Sequence, residues 1–241
     1  MSRSVTYILT ALCGFLGTAA LVVYFSTILV PLPADNATTA QVTAMAIHHQ
    51  NAILLDIWLQ AIGTFLTVIF VLALVHLGAV AERFWGRMTQ VVASVVMMIS
   101  LAEGTFGLAV IQGTMAGHPQ TAVAGFDLTN VFIHVFLIAP SLFLVLGLAL
   151  SRSHLLPSVF SIVALALGIA FEVLGFAGLF NTTAVTMVIF LEIAQEVWIL
   201  AAATMLLLRL RKPVVARHWP GLIPLSREHE DTGMHATLRH N

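Results

Sequence analysis

Six stretches of this chain are each long and apolar enough to cross a lipid bilayer, which removes most folds from consideration. They cover residues 5–30, 44–77, 91–113, 126–150, 157–180 and 184–208. A spanning helix needs about 20 predominantly apolar residues. The chain is 59% hydrophobic and 9% charged, whereas a soluble domain carries about 25% charged residues. The expected class is all-α: a polytopic membrane bundle of six transmembrane helices over 1–212, then a polar tail over 213–241 that reads as disordered. The first stretch is too long for a signal peptide and lacks a small-residue cleavage site, so it reads as an uncleaved helix.

Orientation follows from the basic residues. Arg3, Arg83, Arg87, Arg152, Arg209, Arg211 and Lys212 all fall on one side of the predicted bundle. The connections on the other side, 31–40, 116–125 and 181–183, contain no Lys or Arg. Both termini are therefore expected in the cytoplasm of a multi-pass protein of the plasma membrane, with a bacterial inner membrane as the setting. The lone Cys13 lies in an apolar run, which excludes a disulfide framework and a Cys-based metal site. A net charge of −1 argues against a nucleic-acid partner.

Five carboxylates interrupt the apolar runs: Asp56, Glu103, Glu172, Glu192 and Glu196. No Lys or Arg sits in the same helix interiors. Acids in hydrocarbon are costly and point to function. Without basic partners they must be protonated, share protons with histidine, or hold a cation.

Spacing groups these polar residues. His49, Asp56, Gln60, Thr64 and Thr67 recur at helical intervals in the second stretch. Asp127, Asn130, His134 and Ser141 form an expected stripe in the fourth. Glu103 and Glu172 stand among small residues in the third and fifth, which lets neighbouring backbones approach. Glu192 and Glu196 lie one turn apart in the sixth, where two like charges repel, so one of them is expected to be protonated. The first stretch, with Gly14, Gly17 and Thr18, reads as a packing face only. The second stretch would be roughly 50 Å long, beyond a hydrocarbon core of about 30 Å. It must tilt, project or break near His48-His49-Gln50-Asn51. Measured along the helices, His134 and Glu192 fall about 12 Å from the outer ends, and the other acids share the outer half. One polar cavity reached from outside is the expected result.

In hydropathy and in its long second helix the chain resembles uncharacterised six-helix bacterial integral membrane families of unknown function. That resemblance implies the architecture and carries over no catalytic residue.

The leading expectation is an acid/base enzyme, of isomerase or cyclase type, acting on a neutral lipophilic substrate. A protonated carboxyl in a dry cavity donates well, a neighbouring His or carboxylate recovers the proton, and further carboxylates steady a cationic intermediate. Glu103 or Glu172 would be the acid, His134 or Asp56 its partner, and Glu192 and Glu196 the stabilisers. His49, Gln60, Asn130, Trp58 and Trp198 would contact the ligand. No cofactor and no metal are expected. The expected partners are membrane lipid and a neutral or cationic small molecule, and a homo-oligomer is allowed. The competing readings are a proton- or cation-binding transporter or channel, and a carboxylate/His metal centre. The Glu-x-x-His pattern of helical di-iron sites is missing from the sequence, which weakens the latter.

Overall fold

The computed structural model describes residues 3–27, 37–137, 139–180 and 182–211, and every regular element among them is a helix. In chain order these are α1 (Arg3–Thr27), α2 (Thr39–His48), α3 (Gln50–Leu77), α4 (Phe84–Met115), α5 (Pro119–Leu137), α6 (Leu142–Leu150), α7 (Ser158–Gly178) and α8 (Thr182–Arg211). Five of them, α1, α3, α4, α7 and α8, are long and apolar enough to cross a membrane. The tail expected over 213–241 lies outside the described residues.

Of the three ways to accommodate its excess length, the second stretch takes the break, at His49. Thr38 begins α2 with a reciprocal cap: its side chain accepts from the Gln41 amide, and the Gln41 side chain accepts from the Thr38 amide. His49 ends α2 and starts α3, with φ −115° and ψ 17°, outside the helical region. α2 then packs on α4 and α5 through Val42 and Ala46, which bury against Val110, Ile111, Ala122 and Phe126.

The fourth stretch does not form the single helix expected over 126–150. It divides into α5 and α6. Pro140 is the physical cause: its ring removes a backbone donor, and it pushes Ala139 away from helical geometry. Ser141 then caps α6, its side chain accepting from the Leu144 amide at 3.4 Å. The break also resets the helical phase, so Ser141 does not continue the stripe of Asp127 and Asn130.

Helix contacts close a ring in the order α1, α3, α4, α6, α7, α8 and back to α1. α5 stands against α4 and α7. Glycines permit the tightest approaches. A Cβ on Gly17 would fall 2.9 Å from Thr67 Oγ1 and 3.2 Å from the Gly63 carbonyl. A Cβ on Gly168 would collide with the Leu144 backbone.

The bundle has two unlike halves. Toward the end that carries Arg83, Arg152 and Arg209, the centre is a continuous apolar core. It includes Phe70, Leu74, Leu146, Ile199 and Leu206, all fully buried. At the basic end, Arg83 Nη1 donates to the Arg152 carbonyl and Arg209 Nη2 to the His154 carbonyl, tying the connections together. The outer surface is studded with exposed apolar side chains such as Leu16, Phe65, Met98, Ile162, Val173, Phe190 and Val197. Such a surface suits lipid rather than water.

Replacing Gly168 by Ala is expected to destabilise the protein by about 1–3 kcal/mol, as overpacked cores do. Gly104→Ala, whose added carbon meets only Ile57 Cγ2 at 3.3 Å, is expected to cost clearly less. Thermal unfolding of the two variants in detergent checks the order.

Candidate functional site

In the half of the ring away from the basic end, the helices stand around a cavity of about 260 Å³. That is near the lower limit of ligand sites, which run roughly 300–1,000 Å³. Each long wall contributes one helical face. α1 supplies Leu21, Tyr24 and Phe25; α3 supplies Gln60, Thr64, Thr67 and Val68; α4 supplies Val96, Ile99, Ser100 and Glu103. α8 supplies Val188, Glu192, Gln195, Glu196 and Ile199. These intervals of three and four residues keep each set on one side of its helix. The rest of the lining comes from Ala139 and Pro140 at the α5–α6 break, Ser141–Phe143, and Phe171 of α7. The walls are mostly apolar. Among the described residues that line it there are three acids and no Lys, Arg or His.

The polar groups are paired in a specific way. Gln60 Nε2 donates to Glu103 Oε2 at 2.5 Å, joining α3 to α4 within the cavity. One turn away, Ser100 Oγ donates to Thr64 Oγ1 at 3.2 Å. Tyr24 is within electrostatic reach of both Glu103 and Asp56. At the floor of the cavity the pairing stops. Thr67 Oγ1 and Glu196 Oε2 are buried and have no hydrogen-bond partner, and neither has Thr18 Oγ1. Thr18 is placed to interact with the Glu196 carboxyl, but no hydrogen bond of ordinary geometry joins them.

Glu172 has a different task. Its Oε1 accepts from the backbone amide of Ser141 at 2.6 Å. Ser141 caps α6, so the carboxyl sits against a helix N-terminus, where negative charge is favoured. It holds the break closed beside the cavity and does not itself line it.

The expected site residues therefore separate. The structure brings together Glu103, Glu192, Glu196 and Gln60. Asp56 is half-buried one turn from Gln60, beside Tyr24 and outside the cavity lining. His49 is the half-buried hinge between α2 and α3. Asn130 is half-buried on α5, away from the cavity. His134 belongs to α5, and its side chain lies outside the described residues. Trp58 is 61% exposed on the outer side of α3, turned away from the cavity. Trp198 is a core residue: its Nε1 donates to the Phe160 carbonyl at 3.0 Å and its ring meets Phe143 and Phe160 edge-on. Both tryptophans lie outside the cavity lining.

α1 is more than a packing face. Tyr24 enters the cavity and Thr18 stands beside Glu196. The available signal was the spacing of Thr18, Leu21 and Phe25, a helical face that also carries Tyr24. Among the described residues no group of three His, Cys, Asp or Glu side chains comes together as a metal site.

No family model, curated protein or solved structure matches the chain.

Glu172→Ala is expected to destabilise the protein by about 1–3 kcal/mol, the cost of orphaning a buried amide. Glu172→Gln, which keeps an acceptor oxygen, should lose less. Hydrogen exchange at 141–144 should rise in the alanine variant, while a change spread evenly over all helices would contradict a local clasp.

Proposed function

We propose that this chain is a six-span protein of the cell membrane with both termini in the cytoplasm. In this reading its cavity performs acid/base chemistry, of isomerase or cyclase type, on a neutral lipophilic substrate. α5 and α6 together count as one interrupted crossing. Their 19 and 9 residues, at about 1.5 Å each, give roughly 42 Å of helix, enough for a core of about 30 Å. Interrupted helices are tolerated at membrane depth where the freed backbone is buried in protein, and the Glu172 contact to Ser141 meets that condition.

The observation that carries the reading is a mostly apolar cavity holding three carboxyls and no Lys, Arg or His among its described lining residues, with an apolar core beneath it. A substrate bearing phosphate or carboxylate finds no cation there. A neutral molecule finds apolar walls, two amides and proton-bearing groups.

In the proposed chemistry Glu103, oriented by Gln60, is the proton donor. Tyr24 and Asp56 lie behind it as the relay that restores the proton. Protonation of a double bond or oxygen leaves positive charge on the substrate, which Glu192 and Glu196 stabilise. Loss of a proton from the adjacent carbon to a carboxylate completes an isomerisation, with no net gain or loss of atoms. Conduction of a cation through the bundle fits less well. Beyond Thr67 the core is built mainly of apolar side chains, Phe70, Leu74 and Leu206 among them, which cannot replace a hydration shell.

Two outcomes are expected. A fluorescent protein fused after Asn241 should glow and an alkaline phosphatase fused there should be inactive, while the reverse would overturn the orientation. When purified protein is incubated in D₂O with the apolar extract of its own membranes, one compound should be converted to an isomer bearing a single deuterium. Glu103→Gln should slow that conversion by about 10²–10⁴-fold, the usual contribution of a general acid. Equal conversion by Glu103→Gln would sink the assignment.

A further inference from the structure

We propose that the floor of the cavity is a binding site for the ammonium group of a lipophilic amine, with Glu196 and Thr67 as its acceptors. The inference rests on reading the cavity as a ligand site, and concerns a cationic ligand that would occupy its deepest part in place of the neutral substrate.

Glu196 is 4% exposed and Thr67 8% exposed, both line the cavity, and an oxygen of each lacks any hydrogen-bond partner. Behind them Thr18, 2% exposed, leaves its hydroxyl unpartnered as well. Higher in the cavity two pairs of side chains do satisfy one another, Gln60 with Glu103 and Ser100 with Thr64. Buried polar atoms in folded proteins nearly always find partners, and exceptions call for an explanation. Thr67 Oγ1 lies against Gly17 of α1, and Thr18, next along α1, stands beside Glu196 of α8.

The chemistry of the cavity floor is selective. A carboxyl and two hydroxyls offer oxygen acceptors in a region without Lys, Arg or His among the described lining residues. An anion is rejected. A dehydrated divalent ion needs six or more oxygen ligands or a cluster of charged ones, and no such cluster is present among the described residues. A protonated amine has the matching features: a positive charge for Glu196, several N–H donors for Glu196 Oε2 and Thr67 Oγ1, and an apolar stem. Val68, Ile199 and Leu21 would enclose that stem, and the rings of Tyr24, Phe25 and Phe143 line the cavity above it. Aromatic faces also attract cations.

The test uses full-length protein in detergent with three probes of one shape: benzylamine, benzyl alcohol and benzoate. Binding is read by calorimetric titration. Benzylamine is expected to bind at least tenfold more tightly than benzyl alcohol, and benzoate not at all. Trimethylbenzylammonium, which has the charge but no N–H, should bind more weakly than benzylamine. In Glu196→Gln the preference for amine over alcohol should vanish, and in Thr67→Val it should shrink. Should Glu196→Gln fail to fold, the four wild-type titrations and Thr67→Val still decide. Equal binding of amine and alcohol to wild type overturns the ammonium site. So does an amine preference that survives intact in Glu196→Gln. Either result leaves the isomerisation reading standing if deuterium incorporation persists. Amine selectivity without any turnover would have the opposite meaning.

Discussion

A break in a helix inside an apolar bundle frees backbone groups that water cannot reach. At the α5–α6 junction the Glu172 carboxyl meets that demand by accepting from Ser141. The same requirement, that polar atoms in a low-dielectric interior find partners, orders the rest of the molecule. Gln60 answers Glu103, Thr64 answers Ser100, and the Phe160 carbonyl answers Trp198. Among the described residues three buried oxygens escape this pattern: those of Thr67 and Glu196, which line the cavity, and that of Thr18 beside Glu196. Uneven satisfaction of polar groups is what distinguishes a wall from a site in this bundle.

Close backbone approach makes the cavity possible. α1 lies against α3 where Gly17 meets Thr67 and Gly63, and α6 lies against α7 where Gly168 meets Leu144. With those seams drawn tight, the ring is filled by side chains near its basic end and left hollow in the other half. Dispersion and packing hold the filled half, where no hydration cost is at stake. The hollow half carries the acids, so the chemistry occupies the part of the ring that packing leaves open.

Much of this was legible in the chain. Apolar length marks the spanning helices, and helical spacing places Gln60, Thr64 and Thr67 on one face and Glu192, Gln195 and Glu196 on another. Excess length calls for a tilt, a projection or a break in the second stretch, and the structure has the break, at His49. What periodicity does not carry is the angle at which each face meets its neighbours. Trp58 and Trp198 have the same amphipathic character, yet one faces outward and the other is locked in the core. Glu103 and Glu172 sit in similar small-residue surroundings, yet one lines the cavity and the other clamps a helix start. Pro140-Ser141 is a stop-and-cap signal that the apolar run around it masks. Tyr24 and Thr18 were hidden because a helix without charge gives no reason to look for polar contacts.

The central claim is that the carboxyl-lined cavity is reached from the side opposite the basic end and is closed toward it. Cysteine accessibility tests this most directly. With Cys13 replaced by Ala and Ser100 by Cys, a small membrane-impermeant thiol reagent should label the protein in intact cells and not in inverted membrane vesicles. Labelling only from the inverted vesicles, or equally from both sides, would contradict a cavity with one open end.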